Sequence, residues 1–373
     1  MTSRRAAPED RLRLLRMRAQ RLAGRRPREV AEVVRAVGGL QAQDTPASRL
    51  AVRARSGGLD QAAVRRACDQ ERSVVRTWVM RGTLHMVAAE DAGWLVGLLG
   101  PGFAAGDRRR RLQLGLEDRL CERALEVLPA VLADGPLSRA ELVRGLAAKG
   151  VRIEPEGQAP AHLVGLAAMR GLVCRGPDLD GDQASYVLLE SWAGAGRAMG
   201  PEDALAELAR RYLGGHGPSG PEDLAAWSGL ALGRARRAFE LAAGDLREVE
   251  LGGRRLWALA GGPAARSRSA GPVVRLLGRF DDYLLGWRDR DLILDPAFAR
   301  RIQAGGGWIH PALVVDGRVA GTWRARRAGG RLEVAVEPFG GQLPRGAGPA
   351  LEREAADLGR FLGTEAVLDV DGG

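Results

Sequence analysis

Apolar residues recur at helical spacing through Arg11–Leu22 and Arg28–Val37, and the second run stops at Gly38-Gly39, a helix C-cap signal. Leu59–Cys68 carries the same period. The pattern then changes. Val74–Met80 and Thr83–Val87 are β-branched and apolar runs around Arg81-Gly82, which predicts a hairpin. A further helix is expected after Ala88, with Glu90 and Asp91 in its first turn.

The same order returns twice. Ser138 can cap a predicted helix over Arg139–Lys149, a second helix is predicted over Ala159–Arg170, and Leu172–Arg175 and Ser185–Leu189 read as strands flanking a polar connector. Further on, Pro221–Trp227 and Leu232–Ala242 read as helices broken at Gly229, ahead of a hairpin joining Leu246–Leu251 to Arg254–Leu259 across Gly252-Gly253. Two helices followed by a two-stranded ribbon is the winged helix-turn-helix order. After Gly261 a strand is predicted over Pro272–Leu277, a hairpin over Ala312–Val315 and Arg318–Trp323 across Asp316-Gly317, a strand over Leu332–Val336, and a closing helix over Pro349–Phe361.

The fold expected is therefore α+β, with three tandem winged helix-turn-helix units and a C-terminal β-hairpin-containing region. Boundaries are placed at residues 1–110, 111–195, 200–262 and 271–373, with linkers near Gly194–Gly200 and Gly261–Gly271.

Composition narrows the chemistry. The formal net charge is +10 over 373 residues, which favours a polyanionic partner. Lys149 is the single lysine, and arginine supplies the remaining cationic side chains. Arginine suits bidentate phosphate contacts but cannot form a Schiff base, so lysine covalent catalysis is not expected. Cys68, Cys121 and Cys174 are widely spaced and the four histidines are dispersed, so neither a disulfide framework nor a metal site is expected, and no cofactor is implied. No signal peptide or membrane span is recognised, which points to a soluble cytoplasmic chain with no membrane partner.

The segment Gly39-Leu40-Gln41-Ala42-Gln43-Asp44 is the main chemical candidate. On an extended backbone, glutamines at i and i+2 point to the same side, so Gln41 and Gln43 can aim two neutral amides at one small target such as a water. Asp44 is the nearest carboxylate and reads as a cap or turn residue following the motif, or as a catalytic residue.

Several stretches together resemble the winged-helix DNA glycosylases of the AlkZ and YcaQ type. They are Gly39–Asp44, Arg76-Thr77-Trp78-Val79-Met80-Arg81-Gly82-Thr83-Leu84-His85-Met86, Gly217-Pro218-Ser219 with Asp223 and Trp227, Phe280–Gly286 with Asp289-Arg290, and Val315–Trp323. The resemblance implies three winged helices in a basic, C-shaped molecule that holds duplex DNA, excises bulky N7-alkylated purines and unhooks interstrand crosslinks. Gln41-Ala42-Gln43 matches the Gln-aliphatic-Gln motif of the AlkZ-like branch, whose representative gives azinomycin producers self-resistance. The YcaQ-like branch has an aspartate where Gln43 stands.

Neutral amides fit such a substrate. N7-alkylation already places positive charge on the departing base, so the enzyme needs little acid catalysis and mainly has to position a water against a developing sugar cation. Gln41 and Gln43 are expected to hold that water, and the product is expected to be an abasic site without strand cleavage.

DNA contacts are expected from Arg81 and Thr83 of the first ribbon, and His85 reads as a buried structural histidine or as a further contact on their face. The run Arg108-Arg109-Arg110-Arg111 is expected to meet phosphates. The turn Asp316-Gly317-Arg318 reads either as a solvated turn or as a protruding ribbon that enters a groove. Asp281, Asp282 and Asp289 are expected to pair with Arg279, Arg288 and Arg290, and the tryptophans to serve as packing residues. His162, His216 and His310 are expected to be structural. The partner expected is double-stranded DNA carrying alkylated purines or crosslinks, bound by a monomer. The alternatives are a non-enzymatic winged-helix DNA-binding protein or regulator, and a drug-sequestering protein.

Overall fold

The structure is a computed structural model that describes residues 7–179, 183–194, 196–262 and 271–370. The fold is α+β, and the chain forms two compact units. The first comprises residues up to Val64, Ala206–Trp227 and the chain from Ala231 onward. The second comprises Arg65–Leu205 and Ser228–Leu230. Most of the expected linker Gly261–Gly271 and part of the polar connector before Ser185 lie outside the described residues.

In the first unit, Val30, Val33, Val34 and Val37 put a buried stripe on the helix Val30–Val37, and Gly38 ends it in the left-handed conformation at φ 76°. The chain then runs extended through Leu40–Gln41 and enters the helix Thr45–Arg55. Hydrophobic patterning does not predict that last helix. Its inward face carries Arg49, Arg53 and Arg55, all buried, where a periodicity argument requires apolar side chains. Arg53 is neutralised by Glu354 at 2.8 Å and Asp357 at 3.1 Å, both on the helix Gly348–Leu362.

The main sheet of this unit has the order Ala366–Val370, Arg331–Pro338, Arg318–Ala328, Ala312–Val315, Val274–Leu277. Neighbours are antiparallel except the last two in sequence, Arg331–Pro338 and Ala366–Val370, which run parallel with the helix Gly348–Leu362 as the crossover. One face packs on that helix through Leu276, Trp323, Val334, Leu351 and Leu358. Leu277, Ala312 and Val314 pack instead with Met17, Tyr283 and Trp287. A separate ribbon joins Leu246–Leu251 to Arg254–Leu259.

In the second unit the expected hairpin forms between Val74–Trp78 and Leu84–Ala88, with a short 3-10 turn at Met80–Gly82. The helices Arg139–Ala148 and Ala159–Met169 and the ribbon Val173–Arg175 with Ser185–Leu188 form close to the expected bounds. Ser138 and Glu141 make a reciprocal capping box on the first of these helices. The two ribbons share a sheet, because Arg76 pairs with Arg175 across Val74–Trp78 and Val173–Arg175. Cys121, Ala124, Leu125 and Leu128 bury one face of the helix Asp118–Val131, whose internal Pro129 disguises it in sequence. No helix among the described residues is long and apolar enough to cross a membrane.

Candidate active site

The glutamine loop is fixed at both ends by its neighbouring helices. Gly38 and Gly39, with φ of 76° and 133°, turn the chain out of one helix along a path that a Cβ-bearing residue rarely follows. Asp44 caps the next helix, its Oδ1 accepting from the Ala47 N–H at 2.9 Å. The nearest carboxylate on the loop is thus engaged as a helix cap, with the Arg279 guanidinium 3.8 Å from its other oxygen.

Between these anchors the extended backbone places both amides together. Gln41 Nε2 donates to Gln43 Oε1 at 2.8 Å. Gln41 is buried at 8% exposure while Gln43 is exposed, so the pair runs from the interior to the surface. The Gln41 backbone N–H donates to Asp282 Oδ2 at 3.0 Å, and Asp282 is completely buried.

Behind Asp282 lies a charged brace. Both Asp281 oxygens accept from Arg55, at 2.7 and 2.8 Å, and neither side chain is exposed. Burial disfavours the Arg55 charge, but Asp281 outweighs it and raises the affinity of the guanidinium for its proton. Arg55 also donates to Gln20 Oε1 at 2.6 Å, and Gln20 Nε2 reaches the Gly215 carbonyl at 2.9 Å. Ion pairing at Asp281 was expected with its sequence neighbours. The partner is instead Arg55, more than two hundred residues away, because Arg279 points to Asp44 and Arg290 donates to the Leu284 carbonyl. Asp289 does meet its neighbour Arg288, at 3.5 Å on the surface.

Other motif residues are held in packing contacts. His216 is fully buried, stacked on Tyr212 at 4.8 Å and flanked by Trp227 and Trp287. Trp287 Nε1 donates to Ser219 Oγ and to the His216 carbonyl, both at 3.0 Å, and the Arg16 guanidinium lies 4.5 Å from its ring centre. Asp223 approaches Arg16 at 3.6 Å.

The turn Asp316-Gly317-Arg318 does not protrude. Asp316 Oδ1 accepts from the Val273 N–H at 2.9 Å, and Tyr283 Oη donates to the Gly317 carbonyl at 2.8 Å. A Cβ on Gly317 would lie 2.9 Å from Tyr283 Oη and 3.0 Å from Arg13 Cβ, so the turn is packed against the unit's own core. Arg318 is half exposed and pairs with Asp295 at 3.2 Å.

In the second unit, His85 is fully buried. Its Nδ1 lies 2.9 Å from the Thr83 carbonyl, which fixes the proton on that nitrogen, and Nε2 has no hydrogen-bond partner among the described residues. Burial, reinforced by the Arg81 charge and opposed by the Thr83 carbonyl, lowers its pKa to about 3, so the ring is neutral. Arg81 occupies the left-handed region at φ 55° and is half-buried, as is Thr83. The four-arginine run divides. Arg111 is buried and donates to the Ala104 carbonyl at 2.8 Å. Arg108 is exposed and forms a bidentate pair with Asp118, Arg110 reaches Gln158 at 2.8 Å, and Arg109 is exposed.

This geometry can be set beside known proteins. Residues 34–361 match the family described as DNA glycosylase AlkZ-like. An interstrand DNA cross-link repair glycosylase of Streptomyces sahachiroi is 31% identical over 360 residues, covering 93% of this chain and 95% of the relative. The solved structure of the S. sahachiroi DNA glycosylase AlkZ superimposes with a TM-score of 0.82 at 27% identity, over 98% of this chain and all of that one. The chain belongs to the AlkZ-like DNA glycosylase family.

Proposed function

We propose that this protein is a monofunctional DNA glycosylase that hydrolyses the N-glycosidic bond of bulky N7-alkylated purines and unhooks interstrand crosslinks, leaving an abasic site. The natural role is self-resistance to a DNA-alkylating natural product such as azinomycin B. The observation that carries the reading is the amide pair, with Gln41 Nε2 and Gln43 Oε1 2.8 Å apart and the outer member exposed.

Gln43 Oε1 keeps a second lone pair beyond the one that Gln41 occupies, so it can accept a proton of a water and orient that water's oxygen outward. Neither amide is a strong base. The water therefore attacks late, once the sugar already carries positive charge, and that requires a leaving group as good as an N7-alkylpurine. Asp282 holds the backbone of the pair, and Arg55 holds the segment that carries Asp282. These are positioning residues. The single lysine, Lys149, ends the helix Arg139–Ala148, so amines for a Schiff base are scarce and the strand is expected to stay intact.

The helix–helix–ribbon segments are read as three winged helices on duplex DNA. Exposed Arg108, Arg109 and Arg110 meet phosphates, with Arg81, Thr83 and Arg318 as further DNA contacts. His85, Arg111 and Gly317 are buried, so they shape the surfaces that their neighbours present.

The test is incubation with a duplex carrying one N7-alkylguanine, followed by abasic-site cleavage and strand analysis. Strand scission only after that cleavage step supports the reading. Recovery of intact strands, with tight sequence-selective binding, points to a regulator instead.

A further inference from the structure

Large hydrophobic side chains exposed among the described residues are Leu112, Leu232, Val367 and Trp308, and Trp308 is the most exposed of them at 52%. It sits on a short ribbon pairing Gln303–Gly305 with Trp308–Ile309, and the turn Gly305-Gly306-Gly307 has all three residues at positive φ. A bare indole on such a turn loses hydrophobic stabilisation unless something covers it.

The ring is supported from one side. Its centre lies 5.3 Å from that of Phe280, at an interplanar angle of 42°. Phe280 is held at φ 54°, a conformation a bulky residue rarely adopts, and its N–H reaches the Ile309 carbonyl at 3.4 Å. The stretch that carries Phe280 is tied to the glutamine loop at both ends, through Asp282 to the Gln41 N–H and through Arg279 to Asp44. Phe280, with Trp308 against its ring, thus sits in the short stretch between the two residues that reach the glutamine loop.

We propose that Trp308, backed by Phe280, is the surface on which the alkylated base stacks. This rests on the glycosylase reading above and adds a substrate-selecting residue to it. An N7-alkylpurine is a planar cation. The face of an indole is electron-rich, so it attracts that ring by cation–π as well as stacking forces and attracts a neutral purine less. Selection by charge at Trp308 matches the requirement at the glutamines, since the base that stacks best is also the base that leaves without protonation. As hydrolysis proceeds the base becomes neutral, which weakens its hold on the ring and favours release.

Single-turnover excision from a duplex carrying one bulky N7-alkylguanine tests this with wild type, Trp308→Phe, Trp308→Leu and Trp308→Ala, each checked for an unchanged thermal midpoint. The expected order is wild type, then Phe within a few-fold, then Leu and Ala down by roughly tenfold or more, with affinity for undamaged duplex unchanged in all four. Leu matching Phe would show that bulk and not the aromatic face matters and would overturn the proposal. So would full activity of Trp308→Ala. If the wild type itself excises nothing, it is the glycosylase reading that fails and not the stacking assignment alone.

Discussion

The buried carboxylate of Asp282 accepts the backbone N–H of Gln41 at 3.0 Å, and this bond links the two motifs most diagnostic of the chain across 241 positions of sequence. A carboxylate that could have served as a general base is spent on geometry, holding a strand whose side chains are neutral. On the proposed reading, catalytic polarity at the site is left to the amides, and a requirement for a charged leaving group follows from that division.

Replacing Asp282 separates position from binding. Asp282→Ala should lower stability by about 1–3 kcal/mol, the usual effect of removing a charged hydrogen bond to a buried donor. At temperatures where the variant stays folded, excision should fall roughly tenfold to a hundredfold through kcat, because a loosened amide pair holds its water less well. DNA affinity should be nearly unchanged. Urea melts with single-turnover kinetics give both numbers, and a loss confined to DNA affinity would contradict the role assigned.

The Arg55–Asp281 pair is completely buried, so removing one partner strands the other. Arg55→Ala should cost about 3–5 kcal/mol. The double substitution Arg55→Met, Asp281→Leu should cost less than the sum of its parts, as chemical denaturation in a double-mutant cycle will show. Strict additivity would mean that the two groups do not act as a pair.

His85 makes stability pH-dependent. Its pKa is about 3 in the fold against about 6.5 in an unfolded chain, so below pH 6.5 the unfolded state binds the extra proton. Stability is therefore full above that pH and falls as pH drops toward 3, by about 1.4 kcal/mol per unit from this group. Between pH 6.5 and 5 the wild type should lose about 2 kcal/mol more than His85→Asn, measured by urea unfolding at each pH. Parallel curves would place the protonated ring comfortably inside the fold.

The arginine run should split by role. Arg109→Ala with Arg110→Ala should weaken duplex binding and lower the slope of log affinity against log salt by about 2, with the melting temperature unchanged. Arg111→Ala should leave the salt slope alone and destabilise the fold by about 1–3 kcal/mol, because it strips a buried carbonyl of its donor. Titrations at several salt concentrations beside thermal melts distinguish the two effects.

These assignments show what the sequence could reveal. Elements with an apolar stripe, such as Val30–Val37, or β-branched alternation, such as Val74–Trp78, were legible because burial and period coincide there. Thr45–Arg55 was not, since its buried face is cationic and its partners, Asp281, Glu354 and Asp357, lie far away in sequence. The mutual facing of Gln41 and Gln43 followed from i,i+2 spacing, but the brace beneath them did not, because charge pairing read locally favours neighbours such as Arg279. Trp308 looked like any packing tryptophan. Its exposure comes from a glycine turn whose shape only the folded chain displays.

If two neutral amides suffice because the substrate brings its own charge, removing both should abolish excision. Single-turnover excision on one N7-alkylguanine duplex, comparing wild type with the Gln41→Ala, Gln43→Ala double variant, addresses it most directly. Wild type should give abasic product, and the variant should release it at least a hundredfold more slowly at equal DNA affinity, the range associated with losing oriented groups at a transition state. Equal rates for the two proteins would contradict it.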